Sequence, residues 1–168
     1  MDAKHARVQI RWMVRQDMAE VLETEAEGFE FPWCEDDFIR CLRRANCIGM
    51  VAELDDRVVG FMICELHKTR LNLLNFAVAK SCRRQGVGTQ MLAELMARLS
   101  GQHRTRILLK VRETNLGAQL FFRKLGFRAI SVLRDSYKNT MEDGYLMQYR
   151  YRTTASEVNE PVTARSKA

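Results

Sequence analysis

The sequence predicts an α/β fold in which a central mixed β-sheet carries helices on both faces. Three observations predict it. Apolar runs and helical periodicities succeed one another in the order β-α-α-β-β-β-α-β-α-β-β. Three strands in succession call for antiparallel pairing, and the strand–helix–strand units that follow call for parallel pairing in the middle of the sheet. The chain has 168 residues and 46% hydrophobic content, which suits one domain with a substantial core rather than two. Residues 1–151 are expected to form that domain. Residues 152–168 are expected to be a disordered tail, because "TTASEVNEPVTARSKA" is polar and has no apolar period.

Each element has its own signal. Residues 8–13 alternate apolar and polar side chains, the mark of a strand. Asp17 stands where a helix cap is needed, and Met18, Val21, Leu22 and Glu25 follow at helical spacing, so a helix is expected over 17–27. Gly28 and Pro32 interrupt it, and a second helix is expected over 35–44. The apolar runs 48–54 and 58–66 flank Asp55-Asp56-Arg57, a hairpin signal, and 71–79 continues the series as a third strand. Val87, Met91, Leu92, Leu95 and Leu99 give a helix to about Ser100. Residues 107–111 read as a strand. Asn115 opens a helix carrying Leu116, Leu120 and Phe121, and Gly126 ends it. Residues 127–133 and 145–151 are the last two strands.

Composition narrows the function. The net charge of +6 fits an anionic ligand. The basic residues are scattered, with short clusters at Arg83-Arg84 and over 103–106, and no nucleic-acid reader motif is present, so direct nucleic-acid binding is not expected. The five cysteines, Cys34, Cys41, Cys47, Cys64 and Cys82, include no C-x-x-C pair, and the three histidines are far apart. No metal site is expected from such spacing, and the cysteines read as thiols of a reducing compartment. "MDAKHARVQI" lacks the apolar stretch of a signal peptide, and no apolar run approaches the ~18 residues of a membrane span. A cytoplasmic protein without membrane contact is expected.

The informative stretch is "SCRRQGVGTQML", residues 81–92, between a strand and a helix. A helix N-terminus exposes free backbone N–H groups and a partial positive charge. Glycine lets backbone approach a ligand closely, and arginine adds bidentate donors. Together these would cradle a phosphate. The P-loop pattern is absent, and Met91 occupies the third glycine of the dinucleotide pattern. A plain strand-to-helix turn is the alternative reading.

"RRQGVG", residues 83–88, also resembles the Q/R-x-x-G-x-G/A signature of the GCN5-related N-acetyltransferases (GNAT). Within that family the chain resembles the ribosomal-protein-alanine N-acetyltransferase (RimI) type. The blocks that carry the likeness are "FPW" at 31–33, "NFAV" at 75–78, "VRETN" at 111–115, "LFFRKLGF" at 120–127 and "RDSYKNTMEDGYLM" at 134–147. The resemblance implies a GNAT-like fold, acetyl-coenzyme A as co-substrate, and the α-amine of a protein N-terminus as acceptor. A small-subunit ribosomal protein starting with alanine is the acceptor it points to. By the same resemblance, Phe76, Ala77 and Val78 would face the pantetheine arm and acetyl group. Arg83, Arg84, Gln85, Gly86, Val87, Gly88 and Thr89 would hold the pyrophosphate, and Asn115 would lie near the thioester. Phe31, Trp33 and Tyr137 would line the acceptor channel, with a core role as the alternative for Trp33.

Two departures bear on catalysis. The RimI type has a glutamate general base where this chain has Lys110, and a tyrosine general acid where it has Phe122. Lys110 is open to three readings: an electrostatic stabiliser, a base made neutral by desolvation, or a strand residue without a role. Tyr137 is the expected substitute acid. An α-amine has a pKa near 7.7–8.0, so roughly a tenth or more is neutral at pH 7, against well under about a thousandth for a lysine. A site poor in bases would therefore favour α-amines. A coenzyme A-binding regulatory module, and an acetyltransferase for lysine side chains or small amines, are the competing functions.

Overall fold

The computed structural model describes residues 5–100 and 103–151, with Leu99 and Ser100 as backbone only. The expected tail, 152–168, lies outside the described residues. Seven strands form one sheet: β1 (Gln9–Trp12), β2 (Cys47–Leu54), β3 (Arg57–Leu66), β4 (Arg70–Val78), β5 (Arg106–Arg112), β6 (Arg128–Tyr137) and β7 (Glu142–Arg150). Their spatial order is β1-β2-β3-β4-β5-β7-β6. The helices are α1 (Met18–Gly28), α2 (Glu35–Leu42), α3 (Val87–Ser100) and α4 (Leu116–Lys124).

The sheet is mixed, as expected, but β4 and β5 are its one parallel pair of neighbours. The second crossover, β5–α4–β6, yields no parallel pair, because β7 inserts between β5 and β6 and pairs antiparallel with both. The final hairpin is also longer than the apolar runs suggested. β6 extends through "RDSY" to Tyr137, and β7 begins at Glu142. β6 lies at the sheet edge, where polar residues mask the alternation.

Two apolar layers sandwich the sheet. On one face Met91, Leu92 and Leu95 of α3 and Phe122 of α4 pack on Leu71, Leu73, Ile107, Leu109 and Val111. On the other face Val21 of α1 and Phe38 of α2 pack on Val51, Phe61, Ile63 and Ala77. β3 feeds both layers, Phe61 and Ile63 one way and Met62 and Cys64 the other, which is why it reads as an unbroken apolar run.

Asp17 departs from its expected role. It precedes α1 but makes no cap bond to it. A 3-10 turn, Arg15–Asp17, intervenes, and the carboxylate turns back. It accepts from the Val14 N–H at 2.8 Å and from both terminal nitrogens of Arg11 at 2.8 and 2.9 Å. Arg11 also reaches Glu53 of β2, so this pair ties β1, the turn and β2 together. The Arg11 hydrogen bonds hold the Asp17 carboxyl below its ordinary value. Its stabilising contribution is full above the unfolded pKa of about 3.9 and disappears as pH falls through the lower folded pKa. Asp17→Asn is expected to cost about 2 kcal/mol at neutral pH. Chemical denaturation of both proteins between neutral and strongly acidic pH checks this, and the gap between them should close only at the acid end.

Candidate active site

The site begins where β4 and β5 part. Their parallel register runs from Arg70↔Arg106 to Leu73↔Leu109 and then stops. On its other edge β4 changes register with β3 at the same place: Cys64 faces Leu73, but Ile63 faces Asn75. Leu74 is thus an inserted residue, 37% exposed. A bulge bends and twists its strand, and here it carries Asn75, Phe76, Ala77 and Val78 away from β5. The cleft edge of that segment is left with backbone groups that no neighbouring strand pairs.

The turn before α3 closes one end of this cleft. Arg84 and Gly86 both have left-handed backbone, φ +60° and +80°. For arginine that conformation is uncommon and costly. It turns the chain so that the first N–H groups of α3 gather at one open end. None of the N–H groups of Val87, Gly88 and Thr89 donates to a carbonyl preceding the helix. Such a concave run of free donors suits an anion. Val87 contributes backbone alone, since its side chain is buried in the core.

The two glycines serve different ends. Gly86 supplies positive φ for the turn. Gly88 is required by packing: a Cβ there would come within 3.0 Å of Phe121 and 3.4 Å of Phe76. The arginines also differ. Arg84 is exposed at the turn, whereas Arg83 folds back, its Nε donating to the Val78 carbonyl at 3.0 Å and its Nη2 lying against Gly28. Gln85 donates to the Ser81 carbonyl. Thr89 is exposed on the first turn of α3. A strap missed by the sequence reading holds this end: Gln90 bridges the Ala6 carbonyl at 2.6 Å and the Val8 N–H at 3.2 Å. Nothing in the local sequence marks Gln90 for that part.

Across the cleft, Asn115 caps α4, its Oδ1 accepting from the Ala118 N–H at 3.1 Å, which leaves its amide N–H groups for a ligand. Phe122 is 6% exposed and packs edge-on against Phe76, Phe121 and Phe127. It has no proton to give, and its ring completes an aromatic wall.

The opposite mouth of the cleft is aromatic and cationic. Lys110 is the first residue of β5 beyond the paired segment. Its Nζ lies 4.5 Å from the centroid of the Tyr137 ring, and Arg112 Cζ lies 3.9 Å from the same centroid. Arg112 also lies 5.3 Å from the ring of Phe31, so the 31–33 loop, β5 and the final hairpin meet here. Arg112 was not singled out from sequence, although its place two residues after Lys110 puts both on one face of the strand. Partial desolvation, and then the charge of Arg112, lower the Lys110 pKa. Burial raises that of Tyr137 against the opposing pull of Arg112, so the phenol keeps its proton at neutral pH. Glu113 lies beyond the end of β5 and is held by the backbone of β7.

A buried carboxylate ties loop to strand. Glu25 is 2% exposed. It accepts from the Trp33 N–H at 2.8 Å and from Asn75 Nδ2 at 3.0 Å. Burial pushes its carboxyl pKa up, opposed by those two hydrogen bonds. The Trp33 ring packs on Phe38 at 5.2 Å and remains partly exposed, so it serves core and cleft together. The helical spacing of Val21 and Glu25 was the sequence signal for this buried position.

Comparison with known proteins bears on the family and the fold. Residues 13–127 match the model of the acetyltransferase (GNAT) family. An uncharacterised N-acetyltransferase of Methanocaldococcus jannaschii is 31% identical over 140 residues, 82% of this chain and 88% of that protein. A [ribosomal protein bS18]-alanine N-acetyltransferase of Haemophilus ducreyi is 26% identical over 135 residues, 80% of this chain and 91% of its own length. The crystal structure of the ribosomal-protein-S18-alanine N-acetyltransferase from Escherichia coli shares the fold, with a TM-score of 0.80 at 22% identity over 92% of this chain and all of that one.

Glu25→Ala would leave the Trp33 N–H and the Asn75 amide without their buried acceptor. It is expected to cost about 2–4 kcal/mol in urea unfolding, and Glu25→Gln, which keeps one acceptor, less.

Proposed function

The chain belongs to the acetyltransferase (GNAT) family, and on that premise we propose that it moves the acetyl group of acetyl-coenzyme A to the α-amine of a protein N-terminus. The observation that carries the reading is the parting of β4 from β5 between a backbone anion cradle and an aromatic, cationic mouth. The donor set fits coenzyme A. The N–H groups of Val87, Gly88 and Thr89, with Arg84 beside them, would hold the pyrophosphate. The free edge of Phe76 to Val78 would take the pantetheine amides, and the Asn115 amide would face the same arm. Arg83 and Gln85 act one step removed, by fixing the turn. When bound, the coenzyme supplies an activated thioester.

The chain's residues do the rest. Phe31, Trp33 and Tyr137 orient the acceptor, and orientation alone can supply more than general acid–base help. The α-amine attacks as the neutral form; its nitrogen–carbon bond forms, the carbon–sulfur bond breaks, and the amine proton passes to solvent. The Tyr137 phenol donates a proton to the departing sulfur, replacing the hydroxyl that Phe122 lacks, and regains one from solvent. The Lys110 ammonium places positive charge where oxyanion charge develops. An N-terminal acceptor follows the relatives that act on the alanine N-terminus of ribosomal protein bS18, and a small-subunit ribosomal protein is the first candidate. The substitutions at Lys110 and Phe122 support one competing reading, a coenzyme A-binding module without turnover.

Turnover of alanine-starting peptides tests the proposal. With Lys110 in place of the RimI glutamate base, kcat/KM should rise with the neutral fraction of the α-amine and level off above about pH 8. Tyr137→Phe should lower kcat about a hundredfold with little change in KM. Coenzyme A binding by calorimetry with no turnover at any pH would select the binding module instead.

A further inference from the structure

Lys110 has a feature that neither its strand nor its neighbours satisfy. Among the described residues its ammonium makes no ion pair and lies over the face of Tyr137. Four carboxylates of the elements that form the mouth are engaged elsewhere. Glu142 pairs with Arg112 at 2.7 Å and accepts from Thr114 at 3.0 Å. Asp143 pairs with Arg134 and accepts from the Asp135 N–H. Glu113 accepts from the Asp143 N–H. Glu25 is buried on Trp33 and Asn75. Arg112 is thus neutralised by its own partner while Lys110 keeps an unbalanced positive charge at the place where an acceptor must enter.

An N-terminal acceptor arrives in water mostly as an ammonium, and like charges brought together oppose binding. A carboxylate carried by the acceptor beside its amine reverses the sign. It would pair with Lys110, and Arg112 and Tyr137 would hold its backbone in the mouth. We propose that Lys110 is a specificity-determining residue that selects protein N-termini with an aspartate or glutamate among their first two residues. This rests on the N-acetyltransferase reading above and deepens it.

The test compares kcat/KM for peptides beginning Ala-Glu, Asp-Ala, Ala-Ala and Ala-Lys, and for free glutamate, in wild type, Lys110→Gln, Lys110→Glu and Lys124→Gln. The last removes a charge on α4, away from the mouth, and controls for the overall basicity of the chain. Wild type and Lys124→Gln are expected to favour the acidic peptides over Ala-Ala by about fivefold or more. Lys110→Gln should bring that ratio to about one whatever it does to the absolute rate, and Lys110→Glu should move the preference to Ala-Lys. Turnover of neutral and acidic peptides alike in the wild type overturns the proposal and leaves the acetyltransferase reading intact. So does a preference that survives in Lys110→Gln. Turnover of free glutamate in place of the peptides overturns the choice of a protein N-terminus. Absence of turnover with every acceptor overturns the acetyltransferase reading and this inference with it.

Discussion

The structure depends on a single extra residue. Leu74 has no opposite number on β3, and the parallel pairing of β4 with β5 ends one residue earlier, at Leu73↔Leu109. A sheet gains stability by pairing every backbone group it buries. Here the middle of the sheet gives up that pairing beyond Leu73 and Leu109. The surrounding core makes this tolerable. β3 is buried on both faces, α1 and α2 cover one side and α3 and α4 the other, so the gap opens within a frame braced on every other edge.

The same frame explains how altered chemistry leaves the fold intact. Phe122 sits in a ring of four aromatics with Phe76, Phe121 and Phe127, where a phenyl group satisfies every packing demand. Lys110 projects at the mouth, stacked on Tyr137, and its charge perturbs the site rather than the core. Tyr137 places its ring against the cations of Lys110 and Arg112 at the mouth. The hairpin turn fixes it, since its carbonyl accepts from the Thr140 and Met141 N–H groups. The 31–33 loop and the bulged segment of β4 are coupled through Glu25, which touches the backbone of one and the side chain of the other.

Much of this was legible in the sequence, and the failures have physical causes. Element order followed from periodicity, and the strand-to-helix turn at 83–88 was legible because its glycines and the start of a helix have local signatures. The pairing partner of the last strand was not, because strand order is set by distant packing rather than by local pattern. Asp17 was misread because a cap residue and a residue that folds back on a 3-10 turn look alike in sequence. Gly88 also meets a packing demand that was not legible, because its neighbours Phe76 and Phe121 come from two other segments of the chain. Arg83 folds back on the Val78 carbonyl and Gln90 bridges Ala6 and Val8 of a distant segment, side-chain contacts that have no sequence pattern of their own.

The central claim is that this cleft delivers an acetyl group to an α-amine. The most direct measurement is mass spectrometry of a peptide bearing both a free α-amine and an internal lysine, after incubation with isotopically labelled acetyl-coenzyme A. The account predicts one labelled acetyl group on the N-terminal nitrogen and none on the lysine. Coenzyme A bound with no label transferred, or label on the lysine alone, would contradict it.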